Sequence, residues 1–99
     1  MKIIGIEHIG IAVKSIDKRS PFWEHVLGIK STGREKVLDE GVETGIYDIG
    51  GGKIELLESV KSDSAIQKFM DKKGEGIHHV CLKVDDVYNA IEELKEKGI

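Results

Sequence analysis

The sequence predicts an α+β chain of paired βαβββ modules, the second of them incomplete within these residues. Two observations carry that reading. Ile6 to Ile16 reads against Ile77 to Val87 at an offset of 71, so that His8 falls on His79, Ile9 on Val80, Ile11 on Leu82, Val13 on Val84 and Ile16 on Val87. Both segments alternate apolar and other residues, the period of a half-buried strand, and then pass into a helical pattern. The first copy goes on to three further strand-like runs, whereas the second stops after its helix. The expected division is one domain over residues 1–99: a first module at 1–60, a linking helix within 61–75, and the start of a second module at 76–99.

The elements follow in order. The first strand carries Ile9, Ile11 and Val13 on one face. Ser20 can cap a helix that begins at Pro21, with Phe22, Trp23, Val26 and Leu27 inside and Gly28 closing it. An earlier start near Ile16 would place Pro21 inside the helix. Glu35 to Leu38, Val42 to Ile49 and Lys53 to Glu58 read as strands, separated by glycines at 41 and 50–52. Ser62 or Asp63 can cap the linking helix, which turns Ile66, Phe69 and Met70 inward and ends before Gly74. In the second copy, Asp85 or Asp86 caps a helix with the stripe Val87, Ala90, Ile91 and Leu94, and Gly98 suits its end.

Composition narrows the function classes. The chain is 39% hydrophobic and 33% charged, with a net charge of −3, so neither a disordered chain nor a broad nucleic-acid surface is expected. No apolar stretch approaches the ~20 residues of a membrane helix, and the N-terminus does not read as a signal peptide, so no membrane partner and a cytoplasmic location are expected. One cysteine, Cys81, excludes an internal disulfide and a cysteine-based zinc knuckle. Gly50-Gly51-Gly52-Lys53 precedes a strand rather than a helix and reads as a hairpin turn, not a phosphate loop.

Parity points to a site. His8, Gly10 and Ala12 share the strand face opposite Ile9, Ile11 and Val13, which leaves space beside an imidazole. His79 has the same parity in its copy, and Glu55 sits likewise between Ile54 and Leu56. Two imidazoles and a carboxylate on one concave surface suit a divalent ion such as Zn²⁺, Co²⁺, Ni²⁺, Mn²⁺ or Fe²⁺. The same counting turns His78 toward the helix-packing side or a role in the turn and sets Cys81 on the His79 face, where a plain packing role is expected because no base is paired with it; His25, in a helix with no matching partner, is expected at the surface.

His8-Ile9-Gly10-Ile11-Ala12-Val13, the helix end Phe22-Trp23 to Leu27-Gly28, and Lys53-Ile54-Glu55-Leu56-Leu57-Glu58 resemble the glyoxalase/vicinal-oxygen-chelate superfamily. The stretch from Asp63-Ser64-Ala65-Ile66 through Gly74-Glu75-Gly76-Ile77-His78-His79-Val80-Cys81 is similar to the methylmalonyl-CoA epimerases within it. The resemblance implies the glyoxalase/bleomycin-resistance/dioxygenase-like fold. It also implies a divalent metal (Co, Zn, Mn or Ni) held by His8, Glu55 and His79, an acyl-CoA substrate and a homodimer.

The family's remaining ligand is a glutamate near the end of the second module; the partner of Glu55 at the same offset lies beyond residue 99. Some members carry a base in the strand after a Gly-Val pair, but here Gly41-Val42 leads to Glu43 and Thr44, and the catalytic base stays unassigned. Pro21 and Ser59 also depart from the family pattern. The implied chemistry is epimerisation by proton removal at the carbon between a thioester and a carboxylate. A noncatalytic metal- or ligand-binding module is the alternative from another class, and a glyoxalase I-type lyase is the rival among enzymes.

Overall fold

The computed structural model describes residues 1–99. Its strands are β1 (Ile3–Ala12), β2 (Ser31–Val37), β3 (Val42–Asp48), β4 (Lys53–Ser59) and β5 (Gly76–Val84). The helices are α1 (Ile16–Pro21), which runs into a π-helical turn at Phe22–Val26, α2 (Ala65–Lys73) and α3 (Val87–Glu96). The strands form one sheet in the order β2-β3-β4-β1-β5, with β1 parallel to β4 and antiparallel to β5. This is a βαβββ unit followed by the strand and helix that open a second one.

The repeat is written into the register. Ile9 pairs with Val80, its own repeat partner, while His8 pairs with Cys81 and Gly10 with His79. Each of those last two pairs becomes the other when the two copies are exchanged, so β1 and β5 are related by a pseudo-two-fold axis between Ile9 and Val80. Register shifts between Ile6 and His8, and between Gly10 and Ile11, leave one extra residue on each strand, Glu7 on β1 and His78 on β5. These two bulges also exchange under the repeat.

Two apolar layers cover the sheet. Val13, Ile16, Tyr47, Ile54 and Leu56 form the core under α1, joined by Ile9, Ile11, Trp23 and Ile29. Trp23 stacks on Tyr47, whose hydroxyl donates to Glu24 Oε2 at 2.9 Å. On the opposite face Ala12, Val42, Leu57 and Ile66 pack together, with Phe69 and Met70 of α2 against them.

Helix starts differ from the expected ones for local reasons. The first helix begins at Ile16, because the Ser15 side chain accepts the Lys18 N–H and provides a cap upstream of Ser20. Pro21 then sits inside it, unable to donate to Asp17, and the chain continues by widening to the Leu27 N–H to Phe22 carbonyl bond of 3.0 Å. Gly28 at φ 70° closes the turn as expected. Ser64, rather than Ser62 or Asp63, caps α2 by accepting from Gln67 N–H at 3.0 Å.

Asp86 caps α3 as expected, accepting from Tyr88 and Asn89. Its stripe is only partly covered: Ala90 is buried, but Val87 is 55% exposed where its repeat partner Ile16 is 2% exposed. Ile16 is sealed by residues of β3 and β4, and those strands have no counterpart among residues 76–99. No helix is long and apolar enough to cross a membrane.

Candidate metal centre

β4, β1 and β5 lie side by side, and the register sets Glu55, Gly10 and His79 in one row across them. His8 stands two residues before Gly10 on the same face. All three expected site residues, His8, Glu55 and His79, line a cavity of about 620 Å³ between the sheet and the start of α2. Thr44 and Ile46 of β3, Leu57 of β4 and Ile66 of α2 contribute to its wall, and Glu35 and Val37 of β2 close its far side.

Gly10 makes the approach possible. A β-carbon there would lie 2.8 Å from both ring nitrogens of His79, so the imidazole rests where any other residue would place its side chain. His8 Nε2 and His79 Nε2 face each other at 3.0 Å, with the rings edge to face. On its other side, His8 Nδ1 lies 3.1 Å from Glu7 Oε1 and 3.5 Å from Glu55 Oε2. His79 Nδ1 is 2.9 Å from His78 Nδ1, and the His78 ring packs edge to face on Phe69.

The electrostatics follow from this crowding. Burial, with the neighbouring His8 and His78 rings, pushes His79 below the ordinary histidine range, while Glu55 pulls it upward. The result favours a neutral imidazole, the form a metal requires. A hydrogen bond from His8 holds the Glu7 carboxyl below its ordinary value, with Lys53 adding to the effect.

The donor chemistry fits a divalent ion. Two nitrogens at about 2.0–2.1 Å from one tetrahedral ion stand roughly 3.3 Å apart, so the two Nε2 atoms, now hydrogen-bonded at 3.0 Å, need open by only a few tenths of an ångström to take one. A second grouping, Glu7, His8 and Glu55, brings its ligand atoms within 4.8 Å of one another around His8 Nδ1. We favour the Nε2 side: two imidazoles converge there on the cavity, whereas Glu7 lies outside it, beside Lys53 and Lys83.

The remaining candidate residues fall in different places. Glu43 lies on the far face, 3.5 Å from Arg34, and Thr44 takes the place facing the cavity. His25 is exposed. Cys81 is half-buried and does not line the cavity. His78 does line it, against the parity expectation, because the bulge adds a residue to β5 and turns two successive side chains the same way. Glu7 meets His8 for the same reason. The signal for both was the repeat itself, which sets Glu7 on His78 at the same offset of 71.

Comparison with known proteins places the sequence and the fold. Residues 7–99 match the Glyoxalase/Bleomycin resistance protein/Dioxygenase superfamily. The mitochondrial methylmalonyl-CoA epimerase of Mus musculus is 36% identical over 99 residues, which cover 99% of this chain and 56% of the mouse protein. The chain therefore spans little more than half of that relative's length. A solved structure of a hypothetical protein from Bacillus halodurans C-125 is 44% identical, with a TM-score of 0.89 over 94% of this chain and 67% of that one. The Streptomyces coelicolor methylmalonyl-CoA epimerase in complex with 2-nitronate-propionyl-CoA is 30% identical, with a TM-score of 0.92 over 99% of this chain and 74% of that one. The chain belongs to the glyoxalase/bleomycin resistance protein/dioxygenase superfamily, and the relatives it matches along nearly its whole length include methylmalonyl-CoA epimerases.

Proposed function

We propose that this chain carries the metal-binding half of a methylmalonyl-CoA epimerase site. The observation that supports the reading most directly is the meeting of His8 and His79, from the two copies of the repeat, beside Glu55 in one cavity. His8 and His79 would hold the ion through Nε2, and Glu55, whose Oε2 lies 3.5 Å from His8 Nδ1, would add a carboxylate oxygen once its side chain swings to the Nε2 side; Co, Zn, Mn and Ni all suit that set. When bound, a divalent ion supplies positive charge where negative charge develops on the thioester oxygen as the α-proton leaves.

The chain's own residues do the rest. Ile46, Leu57 and Ile66 give one side of the cavity an apolar wall. Glu35 is the register partner of Thr44 on β2 and lines the same cavity. Its side chain is exposed at the cavity mouth and is within reach of a substrate held there. We assign it the role of taking the α-proton from one face of the substrate carbon, and protonation of the resulting enolate on the opposite face by a water molecule, whose hydroxide is neutralised by the proton Glu35 then releases, completes epimerisation. An acyl-CoA substrate and a homodimer complete the reading; the uncovered apolar face of β5 and α3 is a surface on which copies can associate.

The test is α-proton exchange of methylmalonyl-CoA in D₂O, followed by NMR with the chain in the presence and absence of Co²⁺. Exchange that depends on Co²⁺ and falls about 10²–10⁴-fold in Glu35→Gln supports both the chemistry and the base. No exchange in either condition contradicts the enzymatic reading for these residues and favours a noncatalytic ligand-binding module.

A further inference from the structure

The two bulges are related by the same pseudo-two-fold axis that relates the histidines. Each sets a hydrogen-bonding side chain directly before a histidine and against its Nδ1 atom: Glu7 at 3.1 Å from His8, and His78 at 2.9 Å from His79. A strand without bulges would turn both side chains to the other face. Bulges that re-aim side chains cluster beside functional sites, and a pair that recurs under the repeat serves the same purpose twice.

Hydrogen-bond accounting gives that purpose. A neutral imidazole has one N–H and one bare nitrogen, and a partner at Nδ1 decides which is which. Glu7, a carboxylate, only accepts, so its contact with His8 is a hydrogen bond when His8 carries a proton on Nδ1; with an ion in place of the hydrogen bond between the two Nε2 atoms, His8 then presents a bare Nε2. His78 can accept at Nδ1 if its own proton is on Nε2, and His79 is then fixed in the same form as His8. Phe69 packs on the His78 ring and holds it in place from α2.

We infer that Glu7 and His78 are positioning residues that accept the Nδ1–H of His8 and His79, so that both histidines offer Nε2 to one divalent ion. The inference rests on the metal-binding reading above and says which atoms carry it. A purely structural role for the pair would steady the strands without selecting a tautomer. The assigned role ties metal affinity to an acceptor at each position.

Two measurements test this. In the Zn²⁺-loaded chain with ¹⁵N-labelled histidine, long-range ¹H–¹⁵N spectra are expected to show Nδ1–H and metal-bound Nε2 for both His8 and His79. Co²⁺ affinity, read from its visible absorption, is expected to fall about 10–100-fold in Glu7→Ala and in His78→Leu. His78→Gln, whose side-chain oxygen accepts the same hydrogen bond, is expected to recover most of that loss. Coordination of either histidine through Nδ1 overturns the inference, and so does unchanged affinity in both Glu7→Ala and His78→Leu. A chain that binds neither Zn²⁺ nor Co²⁺ overturns the metal-binding reading as well, which separates the two failures. Should a variant fail to fold, the spectra of the unaltered chain still distinguish Nε2 from Nδ1 coordination.

Discussion

Gly10 lies between Glu55 and His79 in one row across three strands, and its missing side chain is the space that the His79 ring occupies. Gly10→Ala therefore pushes the imidazole off its perch while leaving the strand's backbone pairing possible, since position 10 has no positive φ. The expected outcome is a loss of Co²⁺ binding of at least about tenfold with an unchanged far-UV circular dichroism spectrum. That His8, Glu55 and His79 face one cavity was legible in the sequence because a period of two is enough to sort one strand face from the other. Glu7 and His78 were not, because parity counting assumes an unbroken ladder and each sits on a bulge. Glu35 was read only as the start of a strand; its place in the cavity depends on a cross-strand register that no local pattern states.

At the scale of elements, α2 links the cavity to the rest of the fold. Its buried Ser64 accepts from the Gln67 N–H and shares a 2.6 Å hydrogen bond with Ser59 at the end of β4. Ile66 packs on Leu57 and Phe69 touches His78, so the same helix reaches both the cavity wall and the histidine pair. Ser64→Ala removes the cap and is expected to cost about 1 kcal/mol, or roughly 4–8 °C in melting temperature for a domain of this size. Thermal unfolding followed by circular dichroism checks this; an unchanged midpoint contradicts the role given to the cap. The helices were legible as helices, but their starts were not. Ser15, Ser20, Ser62, Asp63 and Ser64 are all competent caps by residue type, and Ser15 and Ser64 are the ones whose hydroxyls meet the first-turn N–H groups of Lys18 and Gln67.

Across the whole molecule, the repeat explains both what is built and what is left uncovered. The pseudo-two-fold axis through Ile9 and Val80 brings His8 and His79 together, a pairing that the offset of 71 announced without giving its geometry. The same axis carries the apolar face of β1 onto β5, yet Leu82 is 53% exposed where its partner Ile11 packs against the core. An exposed apolar face beside an open strand edge favours association. Sedimentation velocity is expected to show concentration-dependent self-association that Leu82→Lys reduces; a monomer at every concentration contradicts this.

The central claim is that one divalent ion binds between the two copies of the repeat, and a crystal structure of the Co²⁺-loaded chain with anomalous data at the cobalt edge tests it most directly. The account predicts one strong peak, about 2.0–2.2 Å from His8 Nε2, His79 Nε2 and a carboxylate oxygen of Glu55. A peak held instead by His8 Nδ1, Glu7 and Glu55, away from His79, would contradict it.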